Sequence, residues 1–160
     1  MTTYSVNDVA IRDFPATPVA VMAHQGDPER VYETVQRFIS WRRAAGLGRN
    51  FSATYTVFHS DPHTTPPSEL RLDLCAATER PIDANTHGVE PGVIPGGRCA
   101  VLRVIGGSEN LEAPALFLYR DWLPSSGEEA RDFPMFCQRV SFYPDVPERE
   151  TITDLFLPIK

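Results

Sequence analysis

The sequence predicts an α+β fold: a tandem duplicated strand-helix-strand-strand repeat forming one antiparallel sheet with two main helices on one face. Three observations predict it. Residues 14–27, FPATPVAVMAHQGD, and residues 94–107, IPGGRCAVLRVIGG, share an apolar residue with a proline, a short spacer, Ala-Val and a glycine-bearing turn. Each half then offers one helical stretch. Each half also ends in two strands joined by a proline-rich link, and the last strands, LRLDLCA and TITDLFL, place Asp73 and Asp154 about 80 residues apart.

The elements follow in order. The β-branched character of PVAVMAHQG predicts the first strand. Asp27 can cap the helix that follows, and Pro28 at its first position gives up an amide that has no partner there. In ERVYETVQRFISWRRAAGLG, Val31, Val35, Phe38 and Ile39 share one face while Glu33, Gln36, Arg37 and Ser40 lie elsewhere, and Gly46 and Gly48 close the helix. FSATYTVFHSDP and ELRLDLCAAT read as two strands. In the second, Leu70, Leu72 and Leu74 face one way and Arg71 and Asp73 the other, so Asp73, like Asp154, is expected at the solvent face in a structural role. SDPHTTPPSE between them is too rich in proline for helix or central strand.

The polar stretch 79–91 reads as the joint between pseudo-repeats of about 9–78 and 90–160 within one domain, 1–160. RCAVLRVIGG is then a strand and NLEAPALFLYRDWLP a helix. Pro114 is tolerable only in a first turn, so that helix starts no earlier than about residue 110, with Leu111, Ala115, Leu118 and Trp122 as its apolar stripe. MFCQRVSFY and TITDLFLPI close the second half. One such unit buries its sheet poorly. Two related by a pseudo-twofold would merge their strands and leave a groove along the axis, a common setting for a ligand.

Composition narrows the function. A formal charge of −6, with Lys160 the only lysine, argues against a broad nucleic-acid surface. No run of apolar residues reaches the length of a membrane span, and the start MTTYSVNDVAIRDF lacks the pattern of a signal peptide, which predicts a cytoplasmic location. Cys75, Cys99 and Cys137 show no CxxC spacing, and His24, His59, His63 and His87 no ligand spacing, so neither a metal nor a cofactor is expected. Cys137, with Arg139 on the same strand face, is the one candidate nucleophile for an electrophilic compound.

IPGGRCAV resembles the I-P-x-G-R-[YC]-A signature of the gyrase-inhibitor-like (GyrI-like) small-molecule-binding domains, which also serve as effector-binding domains of AraC-type and MerR-type multidrug-sensing regulators. WLPSSG, FYPDVPE and TDLFLPI resemble the same family, so the likeness runs from about Val9 to Ile159. It implies a pocket between the repeats for apolar, often aromatic and cationic, compounds. Stand-alone relatives are linked to gyrase protection, toxin sequestration and hydrolysis of reactive xenobiotics.

Carried over by position, the family's pocket aromatics fall on Tyr32 and Tyr55, and a site near the second helix start falls on Leu111. The strand that holds a buried glutamate in the drug-sensing regulators reads Pro134-Met135-Phe136-Cys137-Gln138 here, without a carboxylate. A neutral or weakly polar aromatic ligand is therefore expected in place of a cation. Met135, Cys137 and Trp122, whose indole N–H needs a carbonyl or a ligand, complete the candidate lining. The expected function is that of a stand-alone small-molecule sensor or sequestering protein, with no direct nucleic-acid or membrane contact. A xenobiotic hydrolase in the same pocket, or a protein that binds a regulator or DNA gyrase, are the alternatives.

Overall fold

The computed structural model describes residues 4–60, 64–106, 111–141 and 145–160. In chain order the strands are β1 (Val9–Phe14), β2 (Thr17–Gln25), β3 (Thr54–Phe58), β4 (Arg71–Ala77), β5 (Glu90–Ile94), β6 (Gly97–Ile105), β7 (Phe136–Ser141) and β8 (Ile152–Pro158). Helix α1 spans Val31–Ala44. A second helical run comprises α2 (Glu112–Leu116), a π-helical stretch (Phe117–Trp122) and α3 (Leu123–Ser126). The class is α+β with antiparallel pairing, as expected from the sequence.

The chain divides into two compact units, Ala16–Ile94 and a second made of Met1–Pro15 with Pro95–Lys160. In the first, the strand order is β3-β4-β2-β5; in the second, β1-β6-β8-β7. The registers repeat. Ala23 opposes Asp73 as Arg103 opposes Asp154, and the amide of Gly26 donates to Leu70 O (2.8 Å) as that of Gly106 donates to Thr151 O (2.7 Å). Both proline-rich links end in a 3₁₀ turn, Pro67–Glu69 and Glu148–Glu150, each entered from an extended proline.

Two strands were not expected from the sequence. β1 and β5 precede the predicted first strand of each half, and each pairs outside its own half: β1 with β6, β5 with β2. β1 is exposed along most of its length, so it lacks the alternation of a half-buried strand. β5 contains Pro91, which a strand tolerates at an edge because no ladder bond is demanded of it on the open side.

Helix α1 begins as predicted. Asp27 Oδ1 accepts from the Glu29 amide at 2.9 Å, and a 3₁₀ turn over Pro28–Arg30 leads into the helix. Thr34, Phe38, Trp41 and Arg42 form its buried stripe, with Phe38 and Trp41 stacked at 6.0 Å between ring centroids. They pack with Ala20, Met22, Leu47, Leu74, Ala76 and Val89. The end is a Schellman turn: Gly46, at φ 72, donates to Arg43 O and Leu47 to Arg42 O. The buried guanidinium of Arg42 then ties this end to the chain entering β3, through Leu47 O (2.7 Å), Ser52 O (2.9 Å) and Thr54 Oγ1 (2.8 Å). Burial, with Arg49 nearby, lowers its proton affinity.

The second helix differs from expectation in pitch. Its buried residues Pro114, Leu118 and Trp122 recur every fourth position, and a stretch wound wider than an α-helix keeps that spacing on one face. Pro114 does lie in the first turn; residue 110 falls outside the described residues. The unit's aromatic core is Phe14, Phe136 and Phe156, with Phe136 and Phe156 stacked at 4.8 Å and Phe14 edge-on to both. At the start of β6, Gly97 has φ 142, and a Cβ there would lie 2.9 Å from the Arg131 guanidinium carbon. Arg131 donates to the carbonyls of Gly96, Arg98 and Ile159. The glycine of the IPGGRCAV motif is thus the space a guanidinium needs to bridge the Gly96–Arg98 stretch and Ile159.

Candidate functional site

The six residues singled out in the sequence fall on both units. On Ala16–Ile94, Tyr32 sits in the first turn of α1 and is 70% exposed, while Tyr55 on β3 is buried, which raises the pKa of its phenol. On the other unit, Leu111 is half-buried at the cap of α2, and Trp122, Met135 and Cys137 are buried. Cys137, on β7 opposite Leu155, is 0% exposed. Reactive thiols need access and a favourable charge nearby, and full burial removes the first. Arg139 does share its strand face.

The carboxylates Asp73 and Asp154 are not at the solvent face. They are 8% and 5% exposed; Asp154 is matched by a guanidinium, while Asp73 bonds a histidine through Oδ2 and leaves Oδ1 without a hydrogen bond among the described residues. Arg103 grips Asp154 with two hydrogen bonds, Nε to Oδ1 at 2.8 Å and Nη2 to Oδ2 at 3.1 Å, and this raises the arginine's pKa. His59 Nε2 lies 2.7 Å from Asp73 Oδ2, with Arg71 Nε 3.6 Å from Oδ1. Alternation along a strand tells which face a side chain takes but not what covers that face. Here the long side chains of the neighbouring strand and loop do.

A groove of about 540 Å³ lies within the unit Ala16–Ile94, between the outer half of α1 and the end of β2. Ala23, Gln25, Arg30, Glu33, Thr34 and Arg37 line it, with His24 beneath. His24 fastens the helix start to the strand. Its Nε2 is 3.0 Å from Asp27 O, which can only accept, so Nε2 donates there, and Nδ1 lies 2.7 Å from Thr34 Oγ1. Arg30 and Glu33 are paired loosely at 3.6 Å, both well exposed. Sequence reading did not find this groove. The signal was the spacing of Arg30 and Arg37, two turns apart on the helix flank left out of the apolar stripe.

Among the described residues no group of three or more His, Cys, Asp or Glu side chains could hold a metal ion. None of the described helices is long and apolar enough to cross a membrane.

An α+β unit with this strand order, a repeated register and an IPGGRCAV turn defines a class of ligand-binding domain. The chain belongs to the GyrI-like family: residues 7–160 match the GyrI-like small molecule binding domain. A protein described as the probable transcriptional regulator YgiV of Escherichia coli (strain K12) is 38% identical over 153 residues, covering 95% of this chain and 96% of its own. The crystal structure of the EcmrR C-terminal domain shares the fold, with a TM-score of 0.76 at 14% identity over 95% of this chain and 96% of that one. So does SAV2435, solved bound to tetraphenylphosphonium, with a TM-score of 0.60 at 8% identity over 95% and 93% of the two chains.

Proposed function

We propose that this protein binds a neutral or weakly polar aromatic compound and acts as a sensor or sequestering module. The observation that carries the reading is the match to a small-molecule-binding family along nearly the whole chain, residues 7–160. The exposed ring of Tyr32 supports it, because a large aromatic face left in water is a ready contact for an apolar guest. A ligand-contact role is assigned to Tyr32 and Tyr55. For Leu111, Trp122, Met135 and Cys137 that role rests on the resemblance.

Charge supports a neutral ligand. SAV2435 was captured with a cation, yet the stretch Pro134 to Gln138 offers no carboxylate here. Of the two buried aspartates, Asp154 is matched by Arg103, and Asp73 has His59 at hydrogen-bond distance with Arg71 at 3.6 Å. A cation entering a low-dielectric site needs an uncompensated negative charge; Arg103 neutralises Asp154, whereas Asp73 has a guanidinium beside it and an Oδ1 without a hydrogen bond among the described residues.

A panel of neutral aromatic compounds, with tetraphenylphosphonium as the cationic comparator, tests the reading by thermal shift. At least one neutral compound is expected to raise the melting temperature more than the cation does. Tyr32→Ala and Tyr55→Ala should abolish that shift while leaving the far-ultraviolet circular dichroism native. A panel with no stabilising member, or one in which only the cation stabilises, overturns the proposal.

A further inference from the structure

The groove beside α1 has a property that its side chains alone do not reveal. β5 accompanies β2 only as far as Val21, which opposes Glu90; beyond it β2 runs on through Met22, Ala23, His24 and Gln25 with no strand on that side. Backbone groups of a strand point alternately to its two neighbours. On β2 the even-numbered residues face β4, since the Thr78 amide donates to Pro18 O and the Gly26 amide donates to Leu70 O. The odd-numbered ones face the lane of β5. Ala23 and Gln25 therefore turn an N–H and a C=O each into the vacated lane, and no turn or loop among the described residues supplies them a partner.

Ala23 and Gln25 also line the groove, together with Arg30, Glu33 and Arg37 from the helix side. Arg37 has no hydrogen bond or ion pair among the described residues, and Arg30 holds Glu33 only at 3.6 Å. A lone anion would meet the guanidiniums but leave two backbone carbonyls unsatisfied. An extended peptide presents donors and acceptors in alternation and satisfies both. Its side chains on the helix side would meet arginine, which favours acidic residues.

We propose that this groove docks an extended acidic peptide segment. The segment adds as a short strand beside Ala23–Gln25, in the lane β5 leaves empty, and sets a carboxylate against Arg37. The site is separate from the small-molecule reading and does not depend on it.

The test uses the full chain, labelled with nitrogen-15, titrated at low salt with a capped hexapeptide of alternating glutamate and valine. The counterpart peptide replaces glutamate by glutamine. The amide resonances of Ala23 and Gln25 are expected to move most, because those N–H groups become bonded. The acidic peptide should bind about fivefold tighter than its neutral counterpart, the scale of an exposed ion pair. Arg37→Ala should erase that preference, and Ala23→Pro, which removes one edge donor, should abolish binding by both peptides. Arg37 is an exposed residue, so its variant keeps the test decisive even where Ala23→Pro disturbs folding. Unmoved Ala23 and Gln25 amides at millimolar peptide overturn the proposal. So does equal binding of the two peptides, or displacement of the acidic peptide by inorganic phosphate at matched ionic strength, which marks a simple anion site.

Discussion

Tyr55 joins two properties in one side chain. It stands on β3 with its ring buried, and burial disfavours the phenolate, raising its pKa above the ordinary 10.0. A raised folded-state pKa contributes stability that is full below the unfolded value and is lost as pH climbs through the folded one. Folding stability should therefore fall as pH rises past about 10, where the unfolded chain ionises first. Tyr55→Phe should flatten that alkaline fall while leaving stability near neutrality within about 1 kcal/mol of the parent, as urea titrations across pH would show. Identical alkaline limbs for the two proteins would locate the loss elsewhere. The same residue illustrates what sequence can convey about a site. An aromatic at this strand position was legible, and so was its likeness to a family contact. Its burial, like that of Asp73 and Asp154, was not, because exposure depends on segments distant in the chain.

At the scale of elements, the end of α1 shows how much a single side chain can organise. Arg42 reaches out of the last turn to bond Leu47, Ser52 and Thr54, closing the loop between helix and β3. Truncation would leave two carbonyls and a hydroxyl short of a donor in a buried place. Arg42→Ala is expected to cost about 2–4 kcal/mol, with faster hydrogen exchange at the Leu47 amide than within α1. A loss below about 0.5 kcal/mol would mean that water replaces the guanidinium without penalty.

The helix itself was readable from its cap and its glycine, but of the expected face Val31, Val35, Phe38 and Ile39 only Phe38 is fully buried, and Thr34, Trp41 and Arg42 complete the stripe. β1 and β5 were not readable, since an edge strand needs neither alternation nor freedom from proline. The π-helical stretch Phe117–Trp122 was legible only as a stripe repeating every four residues, which an α-helix also tolerates over a short span. The peptide lane beside Ala23 is made of backbone, so the only trace in residue type is the spacing of Arg30 and Arg37 along the groove.

For the whole molecule, the decisive fact is which strands share a sheet. The segment that begins each half pairs in the unit built mostly from the other half: β1 on β6, β5 on β2. Fragments 1–88 and 89–160, made separately, should each lack an edge partner and carry an orphan strand. Each is expected to aggregate or to remain largely unfolded alone. Mixing should restore a one-to-one complex with the circular dichroism of the intact chain. Two fragments that are monomeric and native-like by themselves would show that the exchanged strands contribute little.

The exchange also bears on descent. A lone ancestral copy would have owned a strand it could not seat and an unfilled berth beside β2. Two identical chains could trade these pieces, giving a symmetric pair through a swapped arm. Joining the genes end to end would then have turned a partnership dependent on concentration into one fixed by covalent linkage. The matched positions also differ: where one half has Ala23 the other has Arg103, clasping its aspartate across the strands.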